Sequence, residues 1–173
     1  MMIKHTQNLT LTALMAAVLC IVGPWVIPIG VVPISLTNMA VYLTIILLDK
    51  KRAMISVALY LLIGFVGLPV FSGFTGGAGK IFGPTGGYLA GYLVLCLMAS
   101  CILEATNCKI LALATGTCGL YLFGTLWLML QSKLPFMTAL SAGVIPFVLF
   151  DLVKIMAAVT LGNAIKKRMQ SLL

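Results

Sequence analysis

Apolar positions run in long stretches along this chain, and the polar residues collect in short clusters between them. The stretches cover residues 9–27, 35–48, 53–68, 84–103, 110–131 and 136–165. A helix needs about 20 residues to cross the hydrocarbon of a bilayer, and charges or Gly/Pro clusters mark its ends. The pattern predicts an all-α, polytopic membrane protein, a six-helix bundle. The second and third stretches are short, so the helices there are not expected to make the whole crossing. Ahead of the second lies GPWVIPIGVVPIS, residues 23–35, whose three prolines exclude a regular helix interior. Irregular backbone at that depth is tolerated only under protein or along a cavity, so an extended segment folded back over the bundle is expected. Because apolar stretches follow one another to residue 165, the first is expected to stay as a span and not to be removed as a leader.

Composition narrows this picture. The 173 residues are 62% hydrophobic and 8% charged, with a mean hydropathy of +1.19, so the core has to form between helices inside the bilayer. One domain over 1–173 is the expectation at this length. The basic residues sort by side. With the N-terminus inside, the inner face takes Lys4, Lys50, Lys51, Arg52, Lys109, Lys166, Lys167 and Arg168, and the outer loops keep only Lys80 and Lys133. Both termini are then cytoplasmic, and two irregular segments, 23–34 and 69–83, share the outer side, where two long loops line one ligand cavity as a lid. The net charge of +8 is a topology signal, carried by short caps beside spans, and no nucleic-acid partner is expected. Cys20, Cys96, Cys101, Cys108 and Cys118 lack the paired spacing of a zinc site, and the single histidine, His5, lies outside the first span. No metal centre is implied.

The string GLPVFSGFTGGAGKIFGPTGGYLAGY, residues 67–92, has the glycine content of a nucleotide-binding loop but not its spacing. For a Walker loop ending at Gly79-Lys80, the first glycine position holds Phe74 and the hydroxyl position Ile81. For a dinucleotide fingerprint, Gly77, Gly79 and Gly83 have the wrong last interval and follow a membrane span. Gly73, Gly76, Gly77 and Gly79 instead suit a loop with positive φ angles that approaches a ligand closely, with Phe71, Phe74 and Phe82 giving apolar contact. Gly83, Gly87 and Gly91 recur every four residues, an arrangement that admits a neighbouring helix. Pro84 suits a first helical turn, after which Thr85 and Gly86 would leave N–H groups facing the mouth, open to an anion.

Chemistry concentrates in the last stretch, where Asp151 and Lys154 are three residues apart on one helix face in an apolar run. An ionisable residue in hydrocarbon costs roughly 2.5–3.5 kcal/mol on insertion scales, so it marks a functional candidate. A polar cavity floor and a self-neutralising structural pair both fit these two residues. Thr37, Asn38 and Tyr88 are further candidates on the outer half, with helix capping and an interfacial aromatic as the alternatives. An intramembrane enzyme would need a nucleophile with a positioned base, whereas Asp49, Glu104 and Asp151 are the only acids and one of them lies deep in a span. A stand-alone transporter or channel would carry internal repeats or a polar pore stripe, and neither is present.

The 67–92 string, VPISLTN at 32–38 and the Asp151/Lys154 pair closely resemble BioY, the biotin-binding S-component of bacterial energy-coupling factor (ECF) transporters, over nearly the whole chain. The resemblance implies a six-helix protein of the bacterial cell membrane that captures biotin from outside. It implies a transmembrane coupling subunit and two cytoplasmic ATPases as partners, with no cofactor and no hydrolysis on this chain. On that basis Asp151 accepts a ureido N–H, and Lys154 donates to the ureido carbonyl or orients Asp151. Asn38 and Tyr88 complete the polar set, while Thr37, the helix start at Thr85 and Gly86, and loop aromatics such as Phe74 border the ligand. The carboxylate of biotin has two candidate places, Lys154 and the helix start. Ala13 and Ala17 repeat the Ala-xxx-Ala pattern of a face that docks on the coupling subunit, with intramolecular packing as the alternative. An S-component for another vitamin, such as thiamine or riboflavin, and a membrane structural protein are the remaining readings.

Overall fold

The computed structural model describes residues 2–27, 32 and 34–171, and side chains within 6–168 of these. The expectations for residues 28–31 and 33, and for the side chains of Lys4 and His5, lie outside the described residues. The helices are α1 (Met2–Val22), α2 (Thr37–Leu47), α3 (Lys50–Phe65), α4 (Ala78–Ile81), α5 (Gly86–Thr106), α6 (Lys109–Ser132), α7 (Phe136–Gly143) and α8 (Ile145–Ser171). Among the described residues, three segments are long and apolar enough to cross a membrane by themselves: Gly86–Thr106, Lys109–Ser132 and Phe136–Arg168. With α1, α2 and α3 they make the six-helix bundle, since α7 and α8 together occupy the last stretch.

That last stretch differs from a single helix. It breaks at Val144, whose φ of −129° and ψ of −56° lie off the helical values. Pro146 explains the break: it has no N–H to give and its ring would clash with the preceding turn, but it is well placed in the first turn of α8. The second stretch also starts two residues late. Ser35 Oγ accepts the Thr37 N–H at 3.0 Å, so Ser35 supplies the polar partner for the start of α2.

Between α1 and α2 the described residues form two short extended pieces that run antiparallel, as expected of a chain that doubles back. Strands β1 (Val26–Ile27) and β2 (Ile34–Ser35) pair antiparallel, Val26 opposite Ser35 and Ile27 opposite Ile34. The segment between α3 and α5 meets the one between α1 and α2: the Gly73 N–H donates to the Pro24 carbonyl at 3.0 Å, and the Trp25 and Phe74 rings contact edge to face at 5.6 Å. Positive φ occurs at Gly67, Gly73 and Gly77 in this segment, and also at Phe74. Gly76 and Gly79 do not share it. Gly76 instead lies against the Leu68 carbonyl, where a Cβ would collide.

Helices α5 and α6 form the closest pair. A Cβ on Gly87 would strike Trp127, and one on Gly91 would strike Leu120, both on α6. Gly83 does not belong to this face: it lies before α5, against the Gly79 carbonyl, and its own carbonyl accepts the Trp127 indole N–H at 3.0 Å. The main core gathers Leu19, Val41, Tyr42, Ile45, Val57, Leu95 and Leu113 from α1, α2, α3, α5 and α6.

Candidate functional site

The charged residues come from α8, about midway along the Phe136–Arg168 span. Asp151 and Lys154 are 2% and 8% exposed, and Lys154 Nζ donates to Asp151 Oδ1 at 2.9 Å. Two further helices reach the other carboxylate oxygen. Asn38 Nδ2 of α2 donates to Oδ2 at 2.9 Å, and the Tyr121 hydroxyl of α6 donates to it at 2.6 Å. Asn38 Oδ1 in turn accepts the Tyr92 hydroxyl of α5 at 2.9 Å. Three helices thus meet at one carboxylate, and α5 joins the network through Asn38. The charge of Asp151 is neutralised by Lys154, and three of its roughly four lone-pair sites are taken by donors, the conditions under which a buried ion pair is tolerable while one acceptor site stays open.

This network borders a cavity of about 60 Å³ between the helices and the two irregular segments. Asp151, Lys154, Asn38, Thr37, Thr85 and Tyr88 all line it, together with Val32, Leu89, Leu120 and Phe147 as apolar wall. The Tyr88 hydroxyl donates to the Gly143 carbonyl at 3.2 Å, at the end of α7, just before the break. Thr37 does not cap its helix through its side chain: its hydroxyl shares a 2.5 Å hydrogen bond with that of Ser35.

Gly86 and Phe74 are not in the cavity lining, and neither are Phe71 and Phe82. Gly86 spends its N–H on the Gly83 carbonyl at 3.0 Å and packs on the Ile81 carbonyl, so it offers no open donor to an anion. The reason is that the chain already turns at 83–86, and α5 begins two residues after Pro84. Phe74 is 59% exposed, because the tight turn that pairs Phe71 with Thr75 holds it in a left-handed conformation, with its ring on Trp25. Phe71 is the aromatic of this segment that is buried.

Tyr92, Tyr121, Ser35, Tyr60 and Ser72 also line the cavity and were not expected. Tyr92 follows Tyr88 by four residues, so the shared helix face was readable in the sequence. Tyr121 lies in an apolar run, and only the packing of α6 on α8 brings it to Asp151.

Helices that cross a membrane, enclosing a small cavity with a buried and internally neutral charge network, define a polytopic membrane protein with an intramembrane polar site. The chain belongs to the BioY family, whose model matches residues 1–171. Among its relatives, "Biotin transporter BioY2" of Lactococcus lactis is 36% identical over 162 residues, covering 91% of this chain and 89% of the relative. "Biotin transporter BioY" of Thermotoga maritima is 39% identical over 153 residues, covering 86% and 90%. A crystal structure of the S-component for biotin from an ECF-type ABC transporter superposes with a TM-score of 0.87 at 30% identity, covering 95% of this chain and 93% of that one.

Proposed function

We infer that the chain is the substrate-binding subunit of an ECF-type vitamin transporter and that its ligand is biotin. The observation that carries this is the Asp151 network facing a cavity in a chain similar over most of its length to biotin transporters. Biotin has a neutral head with two ureido N–H donors and one carbonyl. Asp151 offers acceptor oxygens held in place by three donors, and Lys154 and Asn38 stand beside it as donors for the carbonyl. Tyr88 and Thr37 add hydroxyls at the cavity wall, and Val32, Leu89 and Phe147 suit the thioether ring and the aliphatic tail. A cationic ligand such as thiamine would favour an uncompensated carboxylate, whereas Asp151 is already paired with Lys154.

Segments 23–34 and 69–83 act as the lid, held to one another at Pro24–Gly73 and Trp25–Phe74. ATP hydrolysis falls to two ATPase partners, acting through a membrane coupling subunit that docks on the exposed Ala13/Ala17 face of α1. The protein sits in the cell membrane with both termini cytoplasmic.

Calorimetric titration of the detergent-purified chain with biotin, thiamine and riboflavin tests the substrate. Tight, saturable binding of biotin alone is expected. Binding of another vitamin in its place would move the assignment to that vitamin, and no heat from any of the three would overturn the class.

A further inference from the structure

One cavity residue stands apart from the Asp151 network. Tyr60, on α3, is 0% exposed and lines the cavity, yet its hydroxyl has no hydrogen-bond partner among the described residues. A buried hydroxyl without a partner is costly, and native folds keep few of them. Two other hydroxyls on the same cavity already have partners. Thr37 is held by Ser35 at 2.5 Å, and Tyr92 donates to Asn38 at 2.9 Å. The other buried hydroxyl in this condition, Ser100, does not line the cavity, so position singles out Tyr60.

The ring of Tyr60 is fixed. Phe71 packs on it edge to face, with centroids 5.5 Å apart and planes at 86°, and is itself 0% exposed. Gly64 makes room for Phe71, since a Cβ there would run into the ring. Gly23 closes the other side: a Cβ on it would stand 2.8 Å from the Tyr60 hydroxyl. A hydroxyl that is held in place, unpaired and bordering a cavity is prepared for a partner that enters with the ligand.

We propose that Tyr60 is a further ligand-binding residue, its hydroxyl donating to an acceptor oxygen of the bound vitamin, either the carboxylate or the ureido carbonyl. The proposal rests on the biotin reading above. Because the same ring carries Phe71, the ligand and the 69–83 segment meet on one side chain.

The test compares wild-type protein with Tyr60→Phe, which keeps the ring and its contact with Phe71 and removes only the hydroxyl. Without ligand the variant is expected to melt at the wild-type temperature or above it, because an unpaired buried hydroxyl is gone. Its Kd for biotin is expected to rise about tenfold or more. Biotinol, in which an alcohol replaces the carboxylate, separates the two acceptors. A loss confined to biotin assigns the contact to the carboxylate, and an equal loss with both ligands assigns it to the ureido carbonyl; either outcome supports the proposal. Unchanged affinity for both ligands overturns it, as does weakened binding accompanied by a lower melting temperature without ligand, the mark of a structural role. A wild-type chain that binds no biotin would overturn the biotin reading and this proposal together, a result distinct from a competent wild type beside an indifferent Tyr60→Phe.

Discussion

Asp151 shows how one buried charge can tie helices together and border a cavity at once. Its three donors come from α2, α6 and α8, so the carboxylate ties helices that are distant in sequence as well as facing the cavity. Removing one partner of a buried ion pair leaves a stranded charge, at about 3–5 kcal/mol, whereas replacing both with apolar residues is often neutral. We therefore expect Lys154→Met alone to lower the melting temperature and weaken biotin binding at least tenfold. Asp151→Leu combined with Lys154→Met should recover much of the stability and bind no biotin. Thermal unfolding and titration in the same detergent check both parts, and a double variant that still bound biotin tightly would refute the role given to the pair. The sequence marked Asp151 and Lys154 because charge in an apolar run is conspicuous. Tyr92 could have been marked by its four-residue spacing from Tyr88, whereas Tyr121 could not, because only three-dimensional packing brings its hydroxyl to the carboxylate.

Elements were more legible than their interruptions. The apolar stretches identified the spans, and the prolines of residues 23–35 identified the doubled-back segment, both following from what a helix in hydrocarbon can hold. The break at Val144 was signalled by Gly143 and Pro146, but the apolar run around them concealed it, since hydropathy counts length and not helix continuity. Gly83 was grouped with Gly87 and Gly91 by spacing alone, although the chain turns before α5 starts. On α1, spacing and exposure agree: Ala13 and Ala17 lie four residues apart and both are exposed, while Met15, Ala16 and Leu19 face the core. Small residues on an uncovered helix face let a second backbone approach closely. Replacing both alanines with Trp should leave the biotin Kd within about twofold of wild type, since neither lines the cavity. Co-purification with the coupling subunit and biotin uptake in cells should be lost. If biotin binding fell as well, the face would be packing against this chain itself.

At the scale of the whole molecule, the two ends of the bundle differ in both structure and charge. One end carries β1 and β2, the 66–85 segment and the α6–α7 turn, with Lys80 and Lys133 as its basic residues. The opposite end carries Lys50, Lys51, Arg52, Lys109, Lys166, Lys167 and Arg168, with Arg52 paired to Asp49 and Lys109 bonded to Asn163. Since lysine and arginine accumulate on cytoplasmic loops, this asymmetry supports the proposed orientation, with the cavity end outward. In that orientation the basic end would face the proposed cytoplasmic partners. The orientation is checked by reporter fusions in cells. Green fluorescent protein joined after Leu173 should fluoresce, and alkaline phosphatase joined after Lys133 should be active, because each reporter works only on the side assigned to it here. The reverse pattern, an active phosphatase at Leu173 and an inactive one at Lys133, would turn the cavity to the cytoplasm and remove the case for capture from outside.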